Sequence, residues 1–232
     1  MGTLFIVGTP IGNLEDISPR ALQVLRKVQL IASENPSRTQ RLLARYGIET
    51  PMMRYTDAYR RKKRQRSAAV LDALQKGDVA LVSEAGMPGL ADPGFELIAA
   101  AQEQGARIVP VPGPTALSAA LSVSGIAAER FIFLGFLPRG DSARRTLLSP
   151  LVDSPFALVA YESPHRLLDT LTALDELFGD RPMAAACELT KLYEETLRGT
   201  PAELLAHFAD QKPRGEFTLV IAGAGQQEED AK

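Results

Sequence analysis

The sequence predicts an α/β protein built as two α/β domains. Two observations lead to this fold class. Short apolar runs, typical of buried strands, alternate with helical patterns along the whole chain, and a segment with three prolines in five residues divides it. Such alternation predicts mostly parallel sheets covered by helices. The 232 residues suffice for one large core or two cores of modest size.

Seven apolar runs have the length and the Gly or Pro boundaries of strands. They cover residues 4–7, 79–82, 108–111, 131–136, 156–161, 183–187 and 217–222. Three segments have the signals of helices. The first runs from Ser18, a predicted N-cap, to 28, the second from Asp92 to Gln104, and the third, with a clear apolar stripe, over 165–178.

The division between the domains is expected at segment 110–114, Pro-Val-Pro-Gly-Pro. Proline cannot continue a central strand or a helix interior, so this segment is predicted to be a stiff crossover. We therefore expect an N-terminal α/β domain over 1–112, a C-terminal α/β domain over 113–225, and a polar tail over 226–232.

Composition excludes several classes of protein. With 45% hydrophobic and 23% charged residues, the chain resembles an ordinary globular protein rather than a disordered or fibrous one. Its one cysteine, Cys187, cannot form an intramolecular disulfide, which fits a reducing cytoplasm, and is expected to be a small core residue. No apolar run approaches the ~18 residues that a membrane span needs. The sequence thus predicts a cytoplasmic protein without a membrane partner.

Charge is distributed unevenly. Residues 1–115 carry 15 Lys and Arg against 11 Asp and Glu, a net charge of +4, and residues 116–232 carry 11 against 17, a net charge of −6. Six cations fall within residues 60–66: Arg60, Arg61, Lys62, Lys63, Arg64 and Arg66. This run is either a solvated helix face or a surface that binds a phosphate backbone through counterion release.

Several signatures of chemistry are missing from the sequence. It has neither the dinucleotide fingerprint nor the phosphate-loop pattern, and no nucleophile-elbow serine. His165, His207 and Cys187 are too few and too scattered for a zinc site, so no metal is expected. Dehydrogenase, ATPase and hydrolase functions are therefore disfavoured.

Loops rich in Gly and Pro follow three of the predicted strands, at 8–13, 83–89 and 112–116. Each alone is typical of an ordinary turn. Because ligands of open α/β sheets bind outside the carboxyl ends of strands, the three together predict a ligand held largely by backbone groups.

Two further polar segments follow strands in the second half. Segment 161–166, Tyr-Glu-Ser-Pro-His-Arg, starts a helix at an end that favours anions, although a plain helix start would look the same. Segment 188–195 is compatible with a functional loop or with an edge turn carrying surface ion pairs.

Taken in order up to about Ala222, these segments resemble the tetrapyrrole-methylase superfamily, and within it the branch that methylates ribosomal RNA. The matching stretches are Gly2-Thr3-Leu4, Gly12-Asn13-Leu14-Glu15-Asp16-Ile17-Ser18, Glu84-Ala85-Gly86-x-Pro88, Asp92-Pro93-Gly94, Pro112-Gly113-Pro114, Ser124-Gly125, Phe133-Leu134-Gly135-Phe136-Leu137-Pro138, Tyr161-Glu162-Ser163-Pro164-His165-Arg166, Glu188-Leu189-Thr190-Lys191 and Gly215-Glu216.

The resemblance implies two α/β domains with S-adenosylmethionine in the cleft between them, the substrate on the side of the first domain, and a homodimer. It also implies methylation of a cytidine 2′-hydroxyl in 16S rRNA, free or in the small ribosomal subunit. The cofactor-binding positions that it implies are Pro10, Glu84, Ala85, Gly86, Pro88, Thr115, Ala116, Tyr161, Glu162 and Leu189.

In the reaction so implied, a hydroxyl oxygen attacks the methyl carbon of a sulfonium and expels the neutral thioether, without a covalent intermediate. A ribose hydroxyl needs a group that accepts its proton or orients it. Glu84 and Glu34, then Lys191, are the candidate catalytic residues. Arg38, Arg166 and the cluster from Arg60 to Arg66 are the candidates for holding RNA phosphates.

Some positions depart from the family's pattern. The family's Glu-Asp-Thr-Arg is replaced by Glu34-Asn35-Pro36-Ser37, with the arginine one place later, and its Ser-Asp-Ala-Gly-Thr-Pro is replaced by residues 83–88, Ser-Glu-Ala-Gly-Met-Pro. Cys187 stands where an arginine is expected. These departures leave two alternatives open: a methyltransferase acting on a tetrapyrrole such as a porphyrinogen, and a divergent, non-catalytic protein that binds S-adenosylmethionine.

Overall fold

The structure, a computed structural model, describes residues 1–56 and 60–225, with only the backbone described for residues 60–66 and 210. The predicted polar tail, 226–232, lies outside the described residues. The chain divides into two compact units, Met1–Thr115 and Ala116–Lys232.

The first unit is a five-stranded sheet in the order β3-β2-β4-β1-β5. Its strands are β1 (Thr3–Val7), β2 (Leu30–Ser33), β3 (Met52–Arg54), β4 (Val79–Val82) and β5 (Arg107–Val111), and its helices are α1 (Pro19–Lys27), α2 (Pro36–Arg45), α3 (Arg60–Leu74) and α4 (Phe95–Glu103). All four strand pairings are parallel. The carboxyl ends of these strands therefore lie along one edge, which we call the carboxyl edge.

Apolar side chains cover both faces of this sheet. On one face Leu25 of α1 and Leu42 of α2 belong to a buried cluster with strand residues such as Ile31. On the other, Leu74 of α3 and Leu97 of α4 cluster with strand residues such as Leu81. Burial on both faces explains why β4, Val-Ala-Leu-Val, is apolar at every position.

Two sequence predictions in this unit need correction. Pro110 belongs to β5 and pairs with Ile6, so the crossover does not begin there. Since β5 is an edge strand, a proline that cannot donate to the ladder is tolerated. The helix expected from Asp92 begins at Phe95, because Gly94 has a φ angle of 143° that a helix cannot contain.

The second unit is a five-stranded sheet in the order β6-β7-β10-β8-β9. Its strands are β6 (Phe131–Phe136), β7 (Ala157–Glu162), β8 (Met183–Cys187), β9 (Glu195–Gly199) and β10 (Phe217–Ile221), and its helices are α5 (Ala116–Ser124), α6 (Asp141–Leu148), α7 (Leu167–Phe178) and α8 (Pro201–Asp210).

The prediction of mostly parallel sheets is wrong for this unit. Strands β6 and β7 pair in parallel, whereas the other three pairings among the described strands are antiparallel. The short loop from β8 to β9 forces an antiparallel pair, because a parallel pair needs a crossover of a dozen or more residues. Strand β10 then pairs between β7 and β8 in the opposite direction to both.

Cys187 ends β8 and is 7% exposed, which confirms it as a small core residue. Burial, with a smaller contribution from the charges of Glu195 and Glu188, raises the pKa of its thiol to about 11. None of the helices in the described part of the chain combines the length and apolarity that a membrane span requires.

Candidate functional site

The loops that follow β1 and β4 are joined by main-chain hydrogen bonds at the carboxyl edge. The amide of Thr9 donates to the carbonyl of Gly86 across 2.9 Å, and the amide of Gly86 donates back across 3.0 Å. Because β1 and β4 are neighbours, this bridge brings the predicted cofactor residues Pro10, Ala85 and Gly86 to one place.

The loops that follow β1 and β5 approach each other just as closely. A Cβ atom on Gly8 would lie 2.7 Å from Cα of Gly113, and one on Gly113 would lie 2.8 Å from Cα of Gly8. The amide of Gly8 also donates to the carbonyl of Val111 across 3.0 Å. Two glycines are therefore required for this contact, which fixes the chain direction leading into Thr115.

The loop after β4 has an irregular backbone from Ser83 to Gly94. Positive φ angles occur at Gly86, Gly89, Ala91 and Gly94. The hydroxyl of Ser83 donates to the carbonyl of Gly86 across 3.2 Å and so supports the first of these turns. A non-glycine residue with such a φ angle carries a conformational cost, so the surrounding structure must hold Ala91 in place.

The two carboxylates among the candidate catalytic residues, Glu34 and Glu84, lie together at this edge. The amide nitrogen of Glu84 donates to Oε2 of Glu34 across 3.0 Å. The carboxylate of Glu84 is held on both oxygens: Nη1 of Arg38 lies 2.8 Å from Oε1, and Nδ2 of Asn35 donates to Oε2 across 2.9 Å. Since β2 and β4 are neighbours, Glu34 and Glu84 meet although they are fifty positions apart.

Asn35 is a site residue that sequence reasoning treated only as a departure. It is the N-cap of α2, where its Oδ1 accepts from the amide of Arg38 across 3.3 Å, and Pro36 follows at the first helical position. The Asn-Pro pair was the signal that could have predicted this helix start. Two departures from the family's pattern, Asn35 and Glu84, are thus in direct contact.

Arg38, a candidate RNA-binding residue, has its guanidinium against Glu84 while its side chain is 60% exposed. It is therefore both a neighbour of the candidate catalytic carboxylate and accessible to a ligand.

Glu162 and Arg166 form a closed, buried cluster in the second unit. Glu162 is fully buried; its Oε1 lies 2.5 Å from Nη2 of Arg166, and its Oε2 accepts from the hydroxyl of Thr170 across 2.7 Å. The remaining guanidinium nitrogens of Arg166 donate to Oγ of Ser163 across 3.2 Å and to the carbonyl of Leu137 across 3.0 Å. The pair fastens the end of β7 to the start of α7.

Tyr161 connects β7 to the first turn of α5. Its phenol oxygen accepts from the amide of Leu117 across 3.1 Å, and its ring lies edge-on to Phe133 and Phe136 at centroid distances of 5.0 and 5.4 Å. The structure thus brings Tyr161 next to the helix turn that begins at Ala116.

The loop between β8 and β9 is strained at two non-glycine residues. Glu188 and Thr190 have φ angles of 49° and 65°, in the left-handed region. Nζ of Lys191, the third candidate catalytic residue, lies 2.8 Å from Oε1 of Glu188, and Leu189 is buried. A Cβ atom on Gly215 would collide with the Glu188 carboxylate, so that glycine makes room for the loop.

The predicted RNA-binding cluster at 60–66 is helical in its backbone, since α3 begins at Arg60. Its side chains lie outside what the structure describes. Among the described residues there is no group of three or more His, Cys, Asp or Glu that could hold a metal ion.

Over residues 3–205 the sequence matches the family described as Tetrapyrrole (Corrin/Porphyrin) Methylases. The chain belongs to the tetrapyrrole methylase family. Two relatives are named "Ribosomal RNA small subunit methyltransferase I". The one from Synechocystis sp. is 47% identical over 225 residues, which cover 97% of this chain and 80% of the relative. The one from Thermotoga maritima is 46% identical over 224 residues, which cover 96% and 99%.

Solved structures show the same fold for this methylase. A cobalt precorrin-4 methyltransferase matches with a TM-score of 0.69 at 16% identity, over 95% of this chain and 94% of that one. A uroporphyrin-III C-methyltransferase from Thermus thermophilus, complexed with S-adenosyl homocysteine, matches with a TM-score of 0.67 at 17% identity, over 96% and 98%. The prediction of a methyltransferase with a two-domain α/β fold is confirmed.

Proposed function

We propose that the chain transfers a methyl group from S-adenosylmethionine to the 2′-hydroxyl of a cytidine in 16S rRNA. The observation that carries this proposal is the 46–47% identity to relatives named as small-subunit rRNA methyltransferases over nearly the whole chain. The tetrapyrrole methyltransferases are below 20% identical in the two structures above, so they support the fold and not a tetrapyrrole substrate.

S-adenosylmethionine, when bound, supplies a methyl group activated by a positively charged sulfonium. The carboxyl edge fits such a group, because glycine-rich loops bring their main chains together there and the carboxylates of Glu34 and Glu84 complement a cation. We propose that the cofactor-binding residues are Pro10, Glu84, Ala85, Gly86, Pro88 and Thr115 in the first unit and Ala116, Tyr161, Glu162 and Leu189 in the second. Glu162 contributes through its main chain, since its carboxylate is occupied by Thr170 and Arg166.

Glu84 is the proposed acceptor for the proton of the ribose hydroxyl. A carboxylate offers about four lone-pair sites, and contacts to Arg38 and Asn35 leave acceptor capacity on Oε1 and Oε2. These two contacts also fix the orientation of the carboxylate, which a positioned base requires. Glu34 holds the main chain of Glu84 in place. Lys191, paired with Glu188, is the third candidate and supplies a positive charge in the second unit.

The test is a methyl-transfer assay with labelled S-adenosylmethionine and, as acceptors, unmodified small ribosomal subunits, free 16S rRNA and a porphyrinogen. We expect label in 16S rRNA, on the 2′-oxygen of a ribose whose 3′-phosphodiester bond alkaline hydrolysis then fails to cleave. Glu84→Gln should abolish transfer, while Glu103→Gln, which removes an exposed carboxylate at the end of α4, should not. Label on the porphyrinogen, or on none of the three acceptors, would refute the proposal.

The cluster from Arg60 to Arg66 is proposed as one surface that holds RNA phosphates. Changing Arg60, Arg61, Lys62 and Lys63 together to Ala should weaken RNA binding and flatten its salt dependence. An unchanged salt slope would remove the cluster from the RNA site. A homodimer and a cytoplasmic location, implied by the resemblance and by the single cysteine, stay predictions. Sedimentation equilibrium tests the first and cell fractionation the second.

A further inference from the structure

Helix α2 presents a line of three exposed arginines, Arg38, Arg41 and Arg45, which we call the arginine stripe. Their spacing of three and then four residues puts them on one face of the helix. Thr39, Leu42 and Leu43 form the buried face of α2, and the three exposed arginines lie beside that face on the solvent side. The stripe is therefore a solvent-facing row of guanidinium groups rather than part of the core.

Little negative charge opposes the stripe. Helix α2 contains no Asp or Glu. Arg38 pairs with Glu84 across 2.8 Å, and Arg45 lies 3.9 Å from a carboxylate oxygen of Glu15, with both side chains of that pair more than half exposed. Arg41 makes no ion pair with any described residue. Exposed ion pairs are weak and screened by salt, so a polyanion can compete for these arginines.

The stripe begins at the proposed catalytic carboxylate. Arg38 touches Glu84 at the carboxyl edge, and Arg45 lies farther along α2 by about 10 Å, given a rise of ~1.5 Å per residue. A nucleic-acid strand in helical form carries a phosphate every ~3.4 Å along its axis. The stripe thus spans about three phosphates of one strand that leads to the site.

We propose that the arginine stripe binds the phosphate backbone of the RNA substrate next to the nucleotide that is methylated. This inference rests on the proposed function. Two features favour RNA over an acidic protein: the three charges follow one another along a line, at intervals of about 4.5 and 6 Å on the helix axis, and the line starts at the proposed reacting end. The stripe is a second phosphate-binding surface beside the cluster from Arg60 to Arg66.

The test measures the binding of a short, fluorescently labelled single-stranded RNA over a series of KCl concentrations. Arg41→Gln is the cleanest variant, because it breaks no ion pair with a described residue and Gln is as good a helix former as Arg. Losing one phosphate contact should weaken binding about fivefold at ~0.1 M salt and lower the slope of log K against log salt by about 0.7. Arg45→Gln should have the same effect. In the double variant the slope of log K against log salt should decrease by about twice as much as in either single variant.

Arg107→Gln is the matched control. It also removes an exposed arginine, but from the amino end of β5, on the edge strand farthest from β2 and α2. Equal weakening by Arg107→Gln, or no weakening by either stripe variant, would overturn the proposal. Competition by polyglutamate as effective as competition by unlabelled RNA would overturn it in favour of an acidic protein partner.

The experiments distinguish an error in the stripe proposal from an error in the proposed function. If the wild-type chain methylates small subunits and the stripe variants bind RNA as the wild type does, only the proposal about the arginine stripe is wrong. If the wild-type chain neither binds RNA nor methylates subunits, the proposed function fails and the stripe fails with it. Circular dichroism of each variant verifies that α2 and the rest of the fold are retained.

Discussion

The side-chain amide of Asn35 donates a hydrogen bond to the carboxylate of Glu84 across 2.9 Å, while the oxygen of the same amide caps α2. One side chain thus holds the start of a helix and orients the proposed base. Because an amide has both donors and an acceptor, it does both without adding a second charge beside Glu84. An aspartate could cap the helix equally well but could not donate to Glu84.

Asn35→Asp separates these two contributions. Aspartate keeps the cap but replaces a donor with a second carboxylate next to Glu84. We expect the free energy of unfolding to fall by about 1 kcal/mol, since one hydrogen bond to a charged group is lost near the surface. Methyl transfer should fall by roughly 10-fold to 100-fold because the carboxylate is displaced. Urea unfolding and initial rates with small subunits measure the two effects.

The double variant Asn35→Asp, Glu84→Gln is the control for this pair. The new glutamine can donate to the new aspartate, so stability should return toward the wild-type value. Activity should not return, because the proposed base is gone. If the Asn35→Asp variant were as active as the wild type, Asn35 would not be needed to position Glu84.

Gly8→Ala should destabilise the first unit. The added Cβ would lie 2.7 Å from Cα of Gly113, which no side-chain rotation relieves. We expect a loss of about 1–3 kcal/mol, as for other overpacked sites. Gly140→Ala is the matched control, because a Cβ atom there meets no atom within 4 Å and the φ angle is −78°. Alanine is a poorer N-cap of α6 than glycine but lowers the entropy of the unfolded chain. These two effects, each under about 1 kcal/mol, should nearly cancel. Equal melting temperatures for both variants would contradict the close approach.

Local patterns predicted the elements of this fold better than they predicted its pairings. Strands such as β4 and β8 are buried at every position, so their apolar runs are visible in the sequence. Strand β9, Glu-Thr-Leu-Arg-Gly, is a half-exposed edge strand without such a run and was missed. The antiparallel direction of β10 depends on distant partners, which no local pattern records.

In the candidate site, too, local patterns predicted the segments but not the contacts between distant residues. The glycine and proline loops were visible as motifs, and their clustering followed from the general rule for parallel sheets. The contact of Asn35 with Glu84 joins residues 49 positions apart, so sequence reasoning could record both as departures without placing them together. Arg166 carries a charge that suggested a phosphate ligand, yet its guanidinium has internal partners, Glu162 at the end of β7 and the carbonyl of Leu137 just after β6.

Arg166→Met should destabilise the second unit rather than act mainly on RNA. It would leave the fully buried carboxylate of Glu162 without its cation, and breaking a buried pair in this way costs about 3–5 kcal/mol. Arg139→Met, which removes an exposed arginine just before α6, should cost less than about 0.5 kcal/mol. Urea unfolding compares the two. An unchanged stability for Arg166→Met together with weaker RNA binding would instead assign Arg166 to the RNA site.

Cys187 should make the stability of the protein fall at alkaline pH. Burial raises the pKa of its thiol to about 11 in the folded chain, whereas the ordinary value of 9.0 applies in the unfolded chain. Between these values the unfolded chain has released the proton and the folded chain has not, so the unfolded state binds fewer protons and is favoured as the pH rises. The contribution is at most about 1.4 kcal/mol per pH unit, and it is absent below about pH 9.

Comparing wild type with Cys187→Ala isolates this contribution. We expect the difference in unfolding free energy between the two proteins to be constant from pH 7 to about 8.5 and then to narrow toward pH 11. The wild type loses the contribution of this thiol over that range, and the variant has no thiol to lose, while all other groups titrate alike in both. In the same pH range the native thiol should react slowly with a thiol-specific reagent and quickly after unfolding, because the thiolate is the reactive form. A native reaction rate at pH 8.5 equal to that of the unfolded chain would show that the thiol is neither buried nor raised in pKa.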